Sequence, residues 1–232
     1  MTEQQDISSE DSPFQDRWLR PTAYLDYDDP IVRDYAREKT AGAQSAKDKA
    51  LALYYAVRDD FRYDPYRVEY APSGFQASNV IRRGHGYCLP KAALLAAAAR
   101  SVGIPARLGY GDVRNHLTSE KLRESMGSDL FMFHGYTQLW IDDRWVKATP
   151  AFNKAMCDRF GVKPLEFDGV HDSLFHEYDA AGRRHMEYVL DRGLFDDVPV
   201  DTILATWEAN FPGMVEQGRA DSDAAPEEFR PD

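Results

Sequence analysis

Apolar side chains recur at helical spacing through the first part of the chain. Over residues 30–39 a proline in the first position follows two aspartates, which is typical of a helix start. Residues 45–61 carry a longer apolar stripe, and Ser45 and Asp48 stand where an N-cap and its partner are expected. The pattern therefore predicts two amphipathic helices in this part of the chain.

A shorter helix is predicted over residues 77–83, and another follows it after a glycine-rich turn at 84–87. This second helix begins at Cys88, and residues 92–99 consist of alanine and leucine, which are strong helix formers. Gly103 follows the last turn and is expected to end the helix. The chain thus places a cysteine at the start of its most apolar helix.

After the alanine-rich helix the pattern changes to that of strands. Residues 106–112 alternate between polar and apolar side chains, and residues 131–141 are rich in Phe, Tyr, Thr and Trp. A turn at 142–144 separates the second strand from a third at 145–148. We therefore predict that the second and third strands form a hairpin.

The last part of the chain predicts another hairpin and a final helix. Strands at 173–178 and 185–190 flank a turn at 180–182, and a helix over 198–211 ends before a proline. Helices come first and antiparallel strands later, which indicates the α+β class.

The domain limits follow from composition. Residues 1–16 and 218–232 are rich in Asp, Glu, Ser, Pro and Gln, and we expect both to be disordered tails. Residues 17–217 have enough apolar content for a single domain, in which 168–212 form a C-terminal extension. The pattern does not indicate an oligomeric state.

Composition argues against several classes of function. The 232 residues carry a formal net charge of −11, which disfavours binding to nucleic acids or anionic membranes. The N-terminus lacks the features of a secretory signal, and no apolar run reaches the roughly 20 residues of a membrane span. The two cysteines, Cys88 and Cys157, lack metal-ligand spacing. We expect a cytoplasmic protein.

Cys88 is the candidate nucleophile. A thiol at a helix N-terminus faces unpaired N–H groups and the positive end of the helix dipole, and both favour the reactive thiolate. The alternative is a buried cysteine that packs as a small apolar side chain, which is our interpretation of Cys157. A histidine that can accept the thiol proton would favour catalysis.

Among the six histidines, His134 has the most suitable position. It stands at the start of a strand in the predicted hairpin, where the backbone would hold its imidazole rigidly. His85 lies in the turn before the cysteine, and His116 lies in a polar segment expected to be a loop. Tyr63 and Gln76 precede the cysteine and are candidates to stabilise an oxyanion.

These motifs together resemble the transglutaminase-like superfamily of papain-type cysteine enzymes. The resemblance rests on the turn before Cys88, the helix-to-strand link at 101–107, and His134 with the following strand at 145–146. It extends over about residues 22–167. It implies a cysteine-proteinase fold, in which the Cys-bearing helix packs on an antiparallel sheet. It also implies a Cys–His pair with a third acidic group, no cofactor, and hydrolysis or acyl transfer at amide bonds.

The chain departs from the family pattern at the third group. The family has an aspartate before the proline that follows the hairpin, and Thr149 stands there. Its hydroxyl can accept a hydrogen bond from imidazole, but it brings no charge to stabilise an imidazolium. Asn153 is the alternative, because an asparagine orients the ring in papain-like triads.

Two functions stay open. The first is a thiol enzyme that acts on amide bonds of a peptide or protein, with Cys88, His134 and Thr149 as catalytic residues. Hydrolysis is preferred over transfer because water is always present and nothing marks an amine site. The second is a binding module that keeps the cleft without catalysis. The enzyme hypothesis requires the sulfur and the imidazole to face each other across an open groove.

Overall fold

The computed structural model describes residues 16–116, 120–174 and 185–216. Both predicted tails lie outside these ranges, apart from Asp16, and so does most of the predicted strand at 173–178.

The described residues form helices and strands in the predicted order. The α-helices are α1 (Pro30–Lys39), α2 (Ala46–Asp60), α3 (Ala77–Arg83), α4 (Cys88–Ser101), α5 (Glu120–Met126), α6 (Lys154–Phe160) and α7 (Val200–Asn210). The strands are β1 (Arg62–Tyr63), β2 (His85–Gly86), β3 (Ala106–Asn115), β4 (Leu130–Ile141), β5 (Arg144–Ala148) and β6 (Met186–Phe195). The short helices α5 and α6 and the two-residue strands β1 and β2 have no counterpart in the sequence prediction.

Local capping signals set the ends of the first helices. The Asp29 carboxylate accepts a hydrogen bond from the Ile31 N–H at the start of α1. Ser45 and Asp48 form a reciprocal capping box at the start of α2. Gly84 ends α3 with a φ of 70°, which a glycine adopts without strain. The predicted positions of these helices are confirmed.

Four strands form one antiparallel sheet in the order β5-β4-β3-β6. The predicted hairpin of β4 and β5 is confirmed, and Asp142 and Asp143 form its loop with φ values of 48° and 62°. The strand predicted at 185–190 is present as β6, but it pairs with β3. Its expected hairpin partner falls mostly outside the described residues, although Ser173 makes a single parallel bridge to Ala148.

Helix α4 lies at the centre of the core. Every residue from Cys88 to Arg100 is buried, and the helix packs against β3 and β4 as well as α1, α2 and α3. Its alanines permit close approach to the sheet, where the Thr137 hydroxyl donates to the Ala92 carbonyl at 2.8 Å. The fold is therefore α+β, with a central Cys-bearing helix packed on an antiparallel sheet, as predicted. Within the described ranges, no helix has the length and apolar character needed to cross a bilayer.

One buried lysine joins α4 to two neighbouring segments. The Lys91 side chain is fully buried, and its Nζ donates to the carbonyl oxygens of Arg58, Phe61 and Ala151 at 2.9, 2.8 and 2.8 Å. An ammonium group has three N–H donors, so each donor meets an acceptor. Burial lowers the pKa of Lys91 to about 7. The side chain ties α4 to the end of α2 and to the segment after β5.

We expect Lys91→Met to lower the free energy of unfolding by about 3 kcal/mol or more, because buried carbonyls would lose their donors. Urea unfolding followed by circular dichroism measures this loss. Lys154→Met is the matched control, since Lys154 pairs with Asp158 on the surface, and it should leave stability nearly unchanged. Equal stability of the two variants would contradict the role assigned to Lys91.

Candidate active site

The Cys88 sulfur lies at the first turn of α4 among backbone donors. The N–H groups of Gly135, Leu89 and Cys88 itself face the sulfur, and each favours the thiolate. Burial has the larger effect and raises the pKa of Cys88 to about 11. The N–H donors expected from the sequence are therefore present around the sulfur. Their effect on the pKa of Cys88 is smaller than that of burial, because water is largely excluded from the sulfur.

The contact with Gly135 lies just beyond the end of β5. Strand β5 pairs with β4 only as far as Thr137, opposite Ala148. Two residues before Thr137 on β4, Gly135 lies next to the start of α4. A Cβ atom at Gly135 would stand 3.2 Å from the Tyr110 ring and 3.3 Å from the Leu89 Cα. The absence of a side chain at Gly135 thus permits the close approach of α4.

His134 immediately precedes Gly135 on β4. His134 is therefore bonded directly to the residue whose N–H faces the sulfur. Cys88 and His134 are 8% and 5% exposed, so both residues are largely buried. The structure places the predicted pair in one region of the fold.

Thr149 follows the end of β5 and shares a cavity with His134. The cavity has a volume of about 10 Å³, close to the room needed for one water molecule. Its lining consists of His134, Thr149, Ala151, Phe152, Leu165, Leu174 and Met186. The Thr149 hydroxyl is buried and finds no hydrogen-bond partner among the described residues. Thr149 and His134 therefore line the same small cavity.

Asn153, the alternative orienting residue, has a different contact. Its side-chain carbonyl accepts a hydrogen bond from the Tyr63 N–H at 3.0 Å. It also precedes α6 as the N-cap residue. Asn153 thus ties β1 to the segment after β5, whereas Thr149 lines the cavity beside His134.

Tyr63 is the better placed of the two candidate oxyanion donors. Its ring packs edge-on against Phe152 with 4.7 Å between the ring centroids. Burial raises the pKa of Tyr63, and a negative charge on Cys88 would raise it further, so the phenol lies within electrostatic range of the sulfur. Gln76 instead donates to the Ala23 carbonyl at 3.4 Å.

The remaining cysteine and histidines have other environments. Cys157 is buried as predicted, and burial raises its pKa to about 11. His116 follows β3, and its Nε2 lies 3.3 Å from a carboxylate oxygen of Glu187. His176 lies outside the described residues. His185, for which the sequence indicates no role, is buried and stacks on Phe152, one of the residues that line the His134 cavity. In the part of the chain that the structure describes, no cluster of His, Cys, Asp or Glu is arranged to hold a metal ion.

Several known proteins are similar to this chain. A protein from Cytophaga hutchinsonii, named as a candidate cysteine protease, is 17% identical with a TM-score of 0.46, and the match covers 76% of this chain and 52% of that protein. A candidate protease from Parabacteroides distasonis is 15% identical with a TM-score of 0.36, over 50% of this chain and 22% of that protein. The chain thus spans about half the length of the first protein and about a fifth of the second.

An arylamine N-acetyltransferase from Salmonella typhimurium is 13% identical with a TM-score of 0.42, over 78% of this chain and 70% of that protein. No curated protein matches the chain.

The sequence profile of the transglutaminase-like superfamily matches residues 33–150. This match takes in Cys88, His134 and Thr149, and it covers just over half of the 232 residues. The chain therefore belongs to the transglutaminase-like superfamily.

Proposed function

We propose that the chain is a thiol enzyme that cleaves amide bonds of a peptide or protein through a thioester intermediate. The observation that supports this proposal most directly is the contact between the Gly135 N–H and the Cys88 sulfur, because Gly135 is bonded to His134. Membership of the superfamily supports the same chemistry. Hydrolysis is favoured over transfer because water is always present as an acceptor.

The proposed reaction begins with attack by Cys88. Its sulfur bonds to the carbonyl carbon while the thiol proton passes to His134, and the carbonyl oxygen becomes an oxyanion. The backbone N–H groups around the sulfur and the Tyr63 hydroxyl are the donors for that oxyanion. When the C–N bond breaks, the imidazolium gives its proton to the leaving amine. Water then attacks the thioester carbon while His134 takes one of its protons. The C–S bond breaks to release the carboxylic acid, and His134 gives that proton to the sulfur.

The resting pair is proposed to be a neutral thiol and a neutral imidazole. Burial holds the pKa of Cys88 at about 11, which disfavours the thiolate near neutral pH. Thr149 supplies no negative charge to stabilise an imidazolium. His134 therefore acts as a general base during the attack, with Thr149 as the group that orients its ring.

The alternative function is a binding module that has lost catalysis. Two observations favour it: Cys88 is 8% exposed with a raised pKa, and Thr149 stands where the family has an aspartate. Under this alternative the sulfur packs as a small apolar group, and His134 has no effect on its reactivity.

Alkylation of the two cysteines distinguishes these functions. Burial raises the pKa of both Cys88 and Cys157 to about 11, so a large difference in their alkylation rates would indicate a group that assists one of the two thiols. We expect iodoacetamide near neutral pH to modify Cys88 much faster than Cys157, and His134→Ala to abolish the preference. Peptide mass spectrometry measures both rates in one sample. Equal, slow labelling that His134→Ala leaves unchanged would favour the binding module.

Thr149→Asp tests the neutral pair. The rate of Cys88 alkylation should rise with pH as the imidazole of His134 loses its proton and becomes able to accept the thiol proton. A carboxylate at 149 would stabilise the imidazolium, so the imidazole would lose its proton at a higher pH and the midpoint of the pH–rate profile should move to higher pH. Thr149→Val, which keeps the shape without the hydroxyl, should slow the reaction without moving the midpoint. An unchanged pH profile in Thr149→Asp would contradict the proposed orientation of His134.

A further inference from the structure

The residue before His134 has an unusual backbone conformation. Phe133 has a φ of 62°, although it is a large side chain and is 2% exposed. A bulky residue in this left-handed region is strained, and it persists only when its surroundings hold it there. Successive side chains of a regular strand point to opposite faces. A left-handed residue interrupts this alternation, so the conformation of Phe133 also affects the direction of the next side chain, that of His134.

Asp112 on β3 provides the first contact that holds Phe133. Its carboxylate accepts a hydrogen bond from the Phe133 N–H at 3.1 Å. Between the pairs Gly111–His134 and Val113–Phe131, β4 has two residues, Met132 and Phe133, opposite the single residue Asp112 of β3, so β4 carries a β-bulge here. The strained residue is therefore part of the bulge, with Asp112 opposite it, and Gly111 pairs with His134 itself.

Arg192 on β6 provides the second contact. Its Nε and Nη2 donate to the two carboxylate oxygens of Asp112 at 2.5 and 2.8 Å. Its guanidinium carbon also lies 4.3 Å from the centroid of the Phe133 ring. The two side chains of the ion pair are 20% and 5% exposed, so solvent screens the pair weakly. One arginine thus touches both the carboxylate that holds the Phe133 backbone and the Phe133 ring.

We propose that Asp112 and Arg192 are positioning residues that aim the imidazole of His134 at Cys88. This inference rests on the proposed function. The bidentate pair fixes the carboxylate, the carboxylate fixes the Phe133 N–H, and the strained Phe133 fixes the direction of the next side chain. Neither residue takes part in proton transfer itself.

Three substitutions and two readouts test this proposal. Arg192→Met removes both contacts, Arg192→Lys keeps the charge but loses the bidentate geometry, and Asp112→Asn keeps an acceptor for the Phe133 N–H. We expect Arg192→Met to slow Cys88 alkylation by about tenfold to a hundredfold, the range that small misplacements of a reacting group produce. Arg192→Lys and Asp112→Asn should fall between it and the unchanged protein. The imidazole resonances of His134 in NMR spectra should shift in parallel with the rate.

Arg100→Met is the control for a general loss of stability. Arg100 is also buried and donates to the carbonyls of Ala106 and Asp196, at the end of α4 remote from Cys88. It should leave both the alkylation rate and the His134 resonances unchanged in the folded fraction, which circular dichroism monitors.

Several outcomes would overturn the inference. Full alkylation rates in Arg192→Met and Asp112→Asn, with a slow rate in His134→Ala, would reject the positioning role and leave the proposed function intact. An equal loss in Arg100→Met would also reject it. If His134→Ala does not slow alkylation, the proposed function fails. The NMR shifts still decide whether Asp112 and Arg192 set the imidazole, and unchanged resonances would reject that role.

Discussion

The close approach of α4 to β4 at Gly135 governs the candidate site. With Tyr110 and Leu89 so near, a side chain at this position would force the helix and strand apart. The same approach brings the Gly135 N–H to the sulfur of Cys88 and closes the sulfur off from water. One steric condition therefore brings the nucleophile to its histidine strand and also produces the burial that opposes ionisation of the thiol. The two effects cannot be separated without moving the helix.

The elements that sequence reasoning predicted well are those whose signals are local. Caps such as Asp29 and Ser45 act within one turn, so the starts of α1 and α2 follow directly from neighbouring residues. The pairing of β6 with β3 joins distant segments, and no local pattern reports it. Helix α6 was missed for another reason. Asn153 precedes this helix, and asparagine favours helix starts. The sequence prediction interprets Asn153 only as a group that orients an imidazole.

The candidate site divides in a similar way. Cys88 and His134 are visible in sequence because a turn, a helix start and a hairpin place them in recognisable contexts. The ionisation of Cys88 is not visible, since it depends on how completely the folded chain excludes water. Asp112 and Arg192 also cannot be identified from the sequence, because they lie on strands that are far apart in the chain and meet only through pairing in the sheet. The side chains that tune a reactive pair thus come from parts of the chain that share no sequence motif.

The buried ammonium of Lys91 has a mechanical consequence. It holds the end of α2, the residues just before Tyr63 and the loop after Thr149 to the same helix that carries Cys88. Releasing any of these segments would leave a carbonyl without its donor in the protein interior, so they are coupled as one rigid wall. Under the proposed function, access for a substrate is therefore expected where Leu174 and Met186 line the cavity.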